Sequence, residues 1–292
     1  MQERMLVGLI GANIQKSLSP ALFEDACAAA DIKGHYHLMD IDRLPGRSLE
    51  QLLRAACASG FKGINITYPC KEAVIPLLDD LSLEARQIGA VNTVSICAKG
   101  RTTGHNTDRI GFRRAFSEQL GAERVRKAAM LVGAGGAGRA VAFALFDLGL
   151  RRLLVNDTNP EQAQSLVRTL VGAFGTDCAR VETGTAAALA EVGGVVNATP
   201  IGMDGFPGNP FPPEGIGASH WVADVIYTPL ETALIKQART RQASVMGGAG
   251  MCVHQAAESF RLFTGLTANI GRLQSVFVEA AAVRERRIAA AG

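Results

Sequence analysis

Several things are scarce in this 292-residue chain, and each scarcity narrows what it can be. No stretch approaches about 18 uninterrupted apolar residues, so a membrane span is not expected. The opening MQERMLVGLIGA is charged and then only briefly apolar, which reads as a first strand rather than a signal peptide. Aromatic residues make up 5%, with a single Trp, which argues against an aromatic-rich β-sandwich. The cysteines (Cys27, Cys57, Cys70, Cys97, Cys178 and Cys252) show neither a C-x-x-C pair nor metal-ligand spacing. Idle thiols in a reducing, cytoplasmic setting are the expectation. The five histidines form no metal constellation, and no metal is expected. A net charge of +3 is too small to suggest a polyanion partner. The densest basic cluster, RERR at 284–287, reads as a solvated helix face, so nucleic acid is not expected either.

What is abundant is glycine, with 32 residues, alongside 48% hydrophobic and 20% charged residues. That balance suits a globular α/β protein with many tight strand–helix turns. MLVGLIG (5–11) reads as a strand. SPALFEDACAAADI (19–32) reads as a helix with Ser19 as N-cap, Pro20 at the first helical position and acids early. GHYHLMDI (34–41) returns as a strand, SLEQLLRAACASG (48–60) as an amphipathic helix, and FKGINIT (61–67) as the next strand. A second series follows from about residue 110. It comprises AAMLVGAGGAGRAVAFALFDLGL (128–150), RRLLVND (151–157), PEQAQSLVRTLVGAF, GGVVNATPIGM and WVADVIY. Between the last two, DGFPGNPFPPEGIGA (204–218) is too rich in Pro and Gly for regular structure and reads as a mobile surface loop. From Gly250 onward the pattern is helical. The length allows one large or two ordinary domains, and the two series make two α/β domains the economical reading. The expected fold is α/β, with residues 1–109 plus 252–292 forming one domain with a mixed sheet. Residues 110–251 form a Rossmann-type, doubly wound dinucleotide-binding domain.

The hexapeptide Gly133-Ala134-Gly135-Gly136-Ala137-Gly138 matches G-x-G-x-x-G between an apolar strand and an apolar helix. Backbone N–H groups at such a helix N-terminus bind pyrophosphate, and missing side chains let it approach. The next strand ends at Asp157, 19 residues after Gly138. A carboxylate there can accept hydrogen bonds from the ribose hydroxyls of NAD. It would repel the extra phosphate of NADP by roughly 4 kcal/mol at about 4 Å and an effective dielectric near 20, less once salt screens it. No Arg or Lys lies between Thr158 and Val167 to offset that, so NAD is expected over NADP.

The segment GINITYPCK (63–71), taken with GAVNTV (89–94) and GHNTDRIGF (104–112), resembles the shikimate dehydrogenase family, which includes quinate dehydrogenases. SLSP near the start, GAGGAGRA, NATPIGM (197–203), DVIYTPLET (224–232) and GMCVHQAAESF (250–260) extend the resemblance over nearly the whole chain. It implies that Lys71 and Asp108 flank the hydroxyl being oxidised and relay its proton. Burial would lower the pKa of such a lysine, and a nearby carboxylate would raise it, so which group is the base stays open. It implies that Ser17 and Ser19 hold a substrate carboxylate. Asn65, Thr67, Asn92 and Gln255 would bond ring hydroxyls, and Tyr227 would lie near substrate and nicotinamide. Further cofactor contacts are implied at Asn156, Thr199, Met203, Gly248 and Met251. The implied partner is a small hydroxylated ring acid, and the chain would act as a monomer or homodimer.

Three departures from the family pattern matter. Asp157 stands where many members carry an Arg that grips the NADP phosphate, which again points to NAD. Lys16 replaces a His before the first serine, and Phe23 and Glu24 replace a His-Asn pair after SP. The expected reaction is oxidation of shikimate to 3-dehydroshikimate. A quinate or aminoshikimate dehydrogenase is the alternative, although Ser19 resembles the serine of shikimate-type sites. A feeble NAD-binding sensor would not need both Lys71 and Asp108.

Overall fold

Apolar runs that end in glycine or a turn residue become strands, and the amphipathic stretches between them become helices. The computed structural model describes residues 4–125 and 127–291. These fall into two compact units, one made of residues up to Thr107 and from Val253 onward, the other of Asp108–Cys252.

In the first unit the order is β1 (Arg4–Gly11), α1 (Ser19–Ala29), β2 (Lys33–Asp40), α2 (Leu49–Ala58), β3 (Gly63–Ile66), α3 (Cys70–Ala73), β4 (Asp80–Leu81), α4 (Leu83–Ile88), β5 (Thr93–Ile96) and β6 (Thr102–His105). The six-stranded sheet runs β2-β1-β3-β5-β6-β4. It is parallel where helical crossovers link β1, β2 and β3, and antiparallel where β5 pairs with β3 and β6. One apolar face packs Ile10, Ile64, Ile66, Val91 and Val94 against Leu52 and Leu53 of α2. Helix α2 starts in a reciprocal capping box between Ser48 and Gln51.

Helix α1 departs from expectation at its N-terminus. Ser19 is not the cap: Leu18 precedes the helix with near-helical backbone, and no side chain caps it from that position. Ser17 Oγ instead accepts the otherwise unpaired Ser19 N–H at 3.2 Å. The acids Glu24 and Asp25 lie beyond the first turn, which holds none.

The second unit contains α5 (Thr107–Gln119, its first residue counted with the first unit), β7 (Ala128–Val132), α6 (Gly136–Asp147), β8 (Arg152–Asn156), α7 (Pro160–Phe174), β9 (Ala179–Val181), α8 (Thr185–Leu189), β10 (Gly194–Asn197), β11 (Trp221–Asp224), α9 (Ala233–Thr240) and β12 (Ser244–Met246). Its sheet is parallel throughout, in the order β12-β11-β10-β7-β8-β9. This is the doubly wound Rossmann order, with strand succession reversing between β7 and β10. Every residue of β7 and β10 is buried, as a parallel sheet covered on both faces requires. Trp221 is 3% exposed and lies edge-on to Phe116 at 4.9 Å, where the missing side chain of Gly194 makes room for its ring. The segment 204–218 contains one 3-10 turn and otherwise no regular structure, but it is not a loose surface loop. Phe211 and Ile216 are each 2% exposed and belong to the apolar core beside β10 and α9.

Helices α10 (Gly248–Thr264) and α11 (Ile270–Ala291) complete the chain. In the first unit α11 packs against α1, where Arg272 donates to both carboxylate oxygens of Asp25 at 2.7 and 2.8 Å. The basic stretch at 284–287 lies on α11, as expected for a helix, but it is not wholly a solvated face, because Arg284 is buried at 7% exposure. No helix among the described residues is long and apolar enough to cross a membrane.

Candidate active site

In the first unit, polar side chains collect where β3, β5 and β6 meet α10. Asn65 on β3 offers its Nδ2 to Thr93 Oγ1 at 2.9 Å, Ser259 Oγ at 3.1 Å and the Asn92 carbonyl at 3.3 Å. Its Oδ1 accepts from the Tyr36 hydroxyl at 2.9 Å. Asn92 Oδ1 accepts the Thr107 N–H at 2.7 Å, and Asn92 Nδ2 donates to Thr107 Oγ1 at 2.9 Å. Thr107 Oγ1 lies 3.5 Å from Gln255 Oε1, at the outer limit of a hydrogen bond. The network thus draws together Asn65, Asn92 and Gln255, together with Tyr36, Thr93, Thr107 and Ser259, which sequence reasoning missed. Both Asn65 amide protons are engaged inside the protein, which leaves its Oδ1 with one lone pair for an incoming hydroxyl.

Lys71, half-buried on the single turn α3, is tied to this network through its backbone: its carbonyl accepts the Val91 N–H at 2.8 Å, one residue before Asn92. Asp108 follows Thr107 in the chain and lies in the first turn of α5 with 6% exposure. His105, three residues earlier, is held below the usual imidazole range chiefly by burial, with Ser95 Oγ 3.1 Å from its Nε2.

The segment leading into the Ser17–Ser19 turn is anchored by hydrogen bonds. Ala12 N–H donates to the Tyr68 carbonyl at 2.8 Å, next to Thr67, and the bare Gly11 leaves room for the Thr67 methyl. Gln15 Nε2 donates to the buried Asp40 at 3.0 Å, and the Asn13 N–H to Asp42 at 2.9 Å. Two residues that depart from the family pattern are occupied elsewhere. Phe23 packs among the rings of Tyr36, Phe260 and Phe263, and Glu24 accepts the Tyr36 N–H at 3.0 Å. Lys16 is exposed.

In the second unit the turn after β7 stands at the point where strand order reverses, the location at which doubly wound sheets bind ligands. Gly133 has φ +100°, and a Cβ there would lie 2.7 Å from the Ala198 carbonyl oxygen. A Cβ on Gly138 would run into the Gly133 carbonyl. A Cβ on Gly135 would meet nothing within 4 Å, so space is left where a phosphate can approach. Gly136 and Ala137 open α6, whose first N–H groups have no intrahelical partner. These features fit a dinucleotide pyrophosphate. Asp157, just past β8, accepts the Ala134 N–H at 2.7 Å through Oδ2 and the Asn159 N–H at 2.8 Å through Oδ1. It is pinned beside the glycine turn with lone pairs to spare. The Asn156 carbonyl accepts the Gly133 N–H at 2.9 Å, and its side chain donates to the Glu182 carbonyl.

Across the switch point, Thr199 borders Gly133, and both its N–H and its hydroxyl donate to Asn197 Oδ1 at 3.0 and 2.7 Å. Met203 is half-buried in the following turn, with its N–H on the Pro200 carbonyl. Tyr227 is half-buried just after β11, and Gly248 packs so closely on the Val225 carbonyl that a side chain would collide with it. Met251 is buried in the first turns of α10. Asp224, at the end of β11, has no exposure. Burial pushes its carboxyl up to about 6, against the pull of hydrogen bonds from Thr232, Ile226 and Asn197.

Known proteins resemble this chain in sequence and fold. The family model described as "Shikimate dehydrogenase substrate binding domain" matches residues 9–94, and that of the "Shikimate 5'-dehydrogenase C-terminal domain" matches 248–273. A Corynebacterium efficiens protein named "Quinate/shikimate dehydrogenase (NAD(+))" is 44% identical over 280 residues, covering 94% of this chain and 98% of that one. A Streptomyces avermitilis protein named "Shikimate dehydrogenase (NADP(+))" is 45% identical over 268 residues, covering 90% and 91%. The solved structure of quinate dehydrogenase from Corynebacterium glutamicum in complex with NAD superposes with a TM-score of 0.89 at 42% identity, covering 95% of this chain and all of that one.

Proposed function

Because the chain belongs to the shikimate dehydrogenase family, we propose that it oxidises the ring hydroxyl of shikimate to 3-dehydroshikimate with NAD as the hydride acceptor. The observation that carries this reading is the polar network of the first unit. It links Asn65, Asn92 and the backbone of Lys71's turn to Thr107, the residue that directly precedes Asp108. A ligand dense in hydroxyls needs prearranged neutral donors and acceptors, since each buried polar group left unmatched costs about 1–3 kcal/mol.

When bound, NAD supplies the hydride acceptor. The alcohol must also lose its proton, and Lys71 and Asp108 are the groups that move it. Ser17 and Ser19, in a turn held by Asp40, Asp42 and the Tyr68 carbonyl, orient the carboxylate. Asn65 Oδ1 and the amides of Asn92 and Gln255 would orient the ring hydroxyls with Thr67, while Tyr227 would serve the nicotinamide side. The glycine turn and α6 would hold the pyrophosphate. Thr199, Met203, Gly248 and Met251 would line the nicotinamide end, and Asn156 and Asp157 would hold the adenosine ribose. The pinned Asp157 carboxylate supports NAD over NADP, because the added phosphate of NADP would be placed against a fixed negative charge.

Quinate is the second substrate favoured by an observation, namely the likeness to an NAD-bound quinate dehydrogenase. The test is steady-state reduction of NAD and NADP with shikimate, quinate and an amino analogue, with Lys71→Ala as blank. Turnover of shikimate with NAD, lost in the variant, is the expected outcome. NAD binding without turnover of any ring acid would overturn it.

A further inference from the structure

At the end of β11 a fully buried carboxylate ties together segments that are far apart in sequence. Asp224 Oδ2 accepts from Thr232 Oγ1 at 2.7 Å, the hydroxyl that also caps α9 by accepting the Ile235 N–H. Asp224 Oδ1 accepts from the Ile226 N–H and from Asn197 Nδ2, both at 3.1 Å. Asn197 is its register partner at the end of β10. That amide in turn takes both protons of Thr199 through Oδ1 and offers Nδ2 to the Ile201 carbonyl at 3.0 Å. The Ile226 carbonyl accepts the N–H of Gly248, the first residue of α10. One acid and one amide therefore set the loop after β10, the turn carrying Tyr227, the cap of α9 and the start of α10.

We propose that Asp224 is a positioning residue for the reaction, fixing the loop of Thr199 and the turn of Tyr227 in a single geometry for the nicotinamide end of the cofactor and the ring acid. This rests on the function proposed above for those two segments. The chemistry calls for a carboxylate because three donors converge on it, and only a group that accepts without donating satisfies all of them. All the groups bonded to it are neutral, and no charged side chain contributes to its titration. Protonation toward about pH 6 and below turns one oxygen into a donor facing a hydroxyl that already serves Ile235. The geometry of the two segments is thereby linked to pH.

The experiment uses the full chain with Asp224→Asn, which keeps shape and acceptor Oδ1 but removes the charge, and Asp224→Ala, which removes both. Hydrogen–deuterium exchange at pH 7.5 reads positioning without any ligand. Exchange in 198–204 and 225–232 should rise at least fivefold in Asp224→Asn and further in Asp224→Ala, with β7 and β8 unchanged. Calorimetric titration should show NAD binding weakened about tenfold in Asp224→Asn. An acidic limb of kcat/KM near pH 6 is expected in the wild type and should be absent from that variant. Should Asp224→Ala fail to fold, Asp224→Asn alone decides. Unchanged exchange in both segments, or NAD affinity and pH profile within twofold of wild type, overturns the proposal. A wild type that turns over no ring acid would instead overturn the functional reading, while the exchange data still decide the role of Asp224.

Discussion

Asp157 has a structural role on which the proposed selective one is built. Its carboxylate holds the Ala134 and Asn159 amides, and in the proposed function its charge would face the place where NADP differs from NAD. Asp157→Asn should raise the NADP-to-NAD ratio of kcat/KM about 10- to 100-fold, the range expected from a partly screened unit charge, while costing about 1 kcal/mol of stability through one lost acceptor. Ratios measured at low and moderate salt check this; an unchanged ratio would assign cofactor choice elsewhere. Lys71→Ala should lower kcat about 10²- to 10⁴-fold with native circular dichroism, as for loss of a proton-transfer group. Asp224 gives a pH prediction of definite sign. Its folded pKa is raised, so the stability it contributes is fully present below its unfolded value of 3.8 and is lost as pH rises through about 6. Urea unfolding should show wild type losing stability relative to Asp224→Asn across that window, by a few kcal/mol in order of magnitude. Individual site residues were legible only where a motif surrounded them. Asn65 and Asn92 stood in recognisable strings, whereas Tyr36, Thr93 and Ser259 are ordinary strand and helix residues that only three-dimensional convergence makes polar partners.

The glycine turn is where the reading of an element from sequence was strongest, because strand, turn and helix each left their own pattern. Its glycines should separate by mechanism. Gly138→Ala forces a methyl into the Gly133 carbonyl and should cost about 1–3 kcal/mol of stability. Gly135→Ala meets open space and should change stability by no more than about 1 kcal/mol, while weakening NAD binding at least tenfold. Urea denaturation and calorimetric titration check the pair; equal effects on folding would remove the distinction. Short elements escaped notice for a physical reason. The two residues of β4, the three of β9 and the five of α8 are too few to display a period. The hairpin of β5 and β6 was hidden inside stretches read only as motifs. The cap of α1 was misplaced because a serine before proline fits two adjacent positions equally well, and local backbone decides between them. In the Pro- and Gly-rich stretch, composition correctly excluded strands and helices. It did not reveal that Phe211 and Ile216 would anchor the stretch to the core.

At the scale of the molecule, motif order carried most of the information: alternating strands and helices, interrupted by one dinucleotide turn, already separate a Rossmann series from what surrounds it. NAD at a hundredfold excess over its dissociation constant should stabilise the folded state by about 2.7 kcal/mol, with NADP at the same concentration giving less. Equal shifts in urea midpoint would contradict the cofactor preference. The position of Trp221 makes that measurement more local than it first looks. It is the chain's only indole, enclosed in β11 against Phe116 within the unit of Asp108–Cys252. Light emitted on excitation near 295 nm, about the edge where tyrosine no longer absorbs, therefore comes from one half of the protein alone. A red shift of that emission marks the opening of the half made of Asp108–Cys252, whatever the helices and strands of the other half are doing at the same moment.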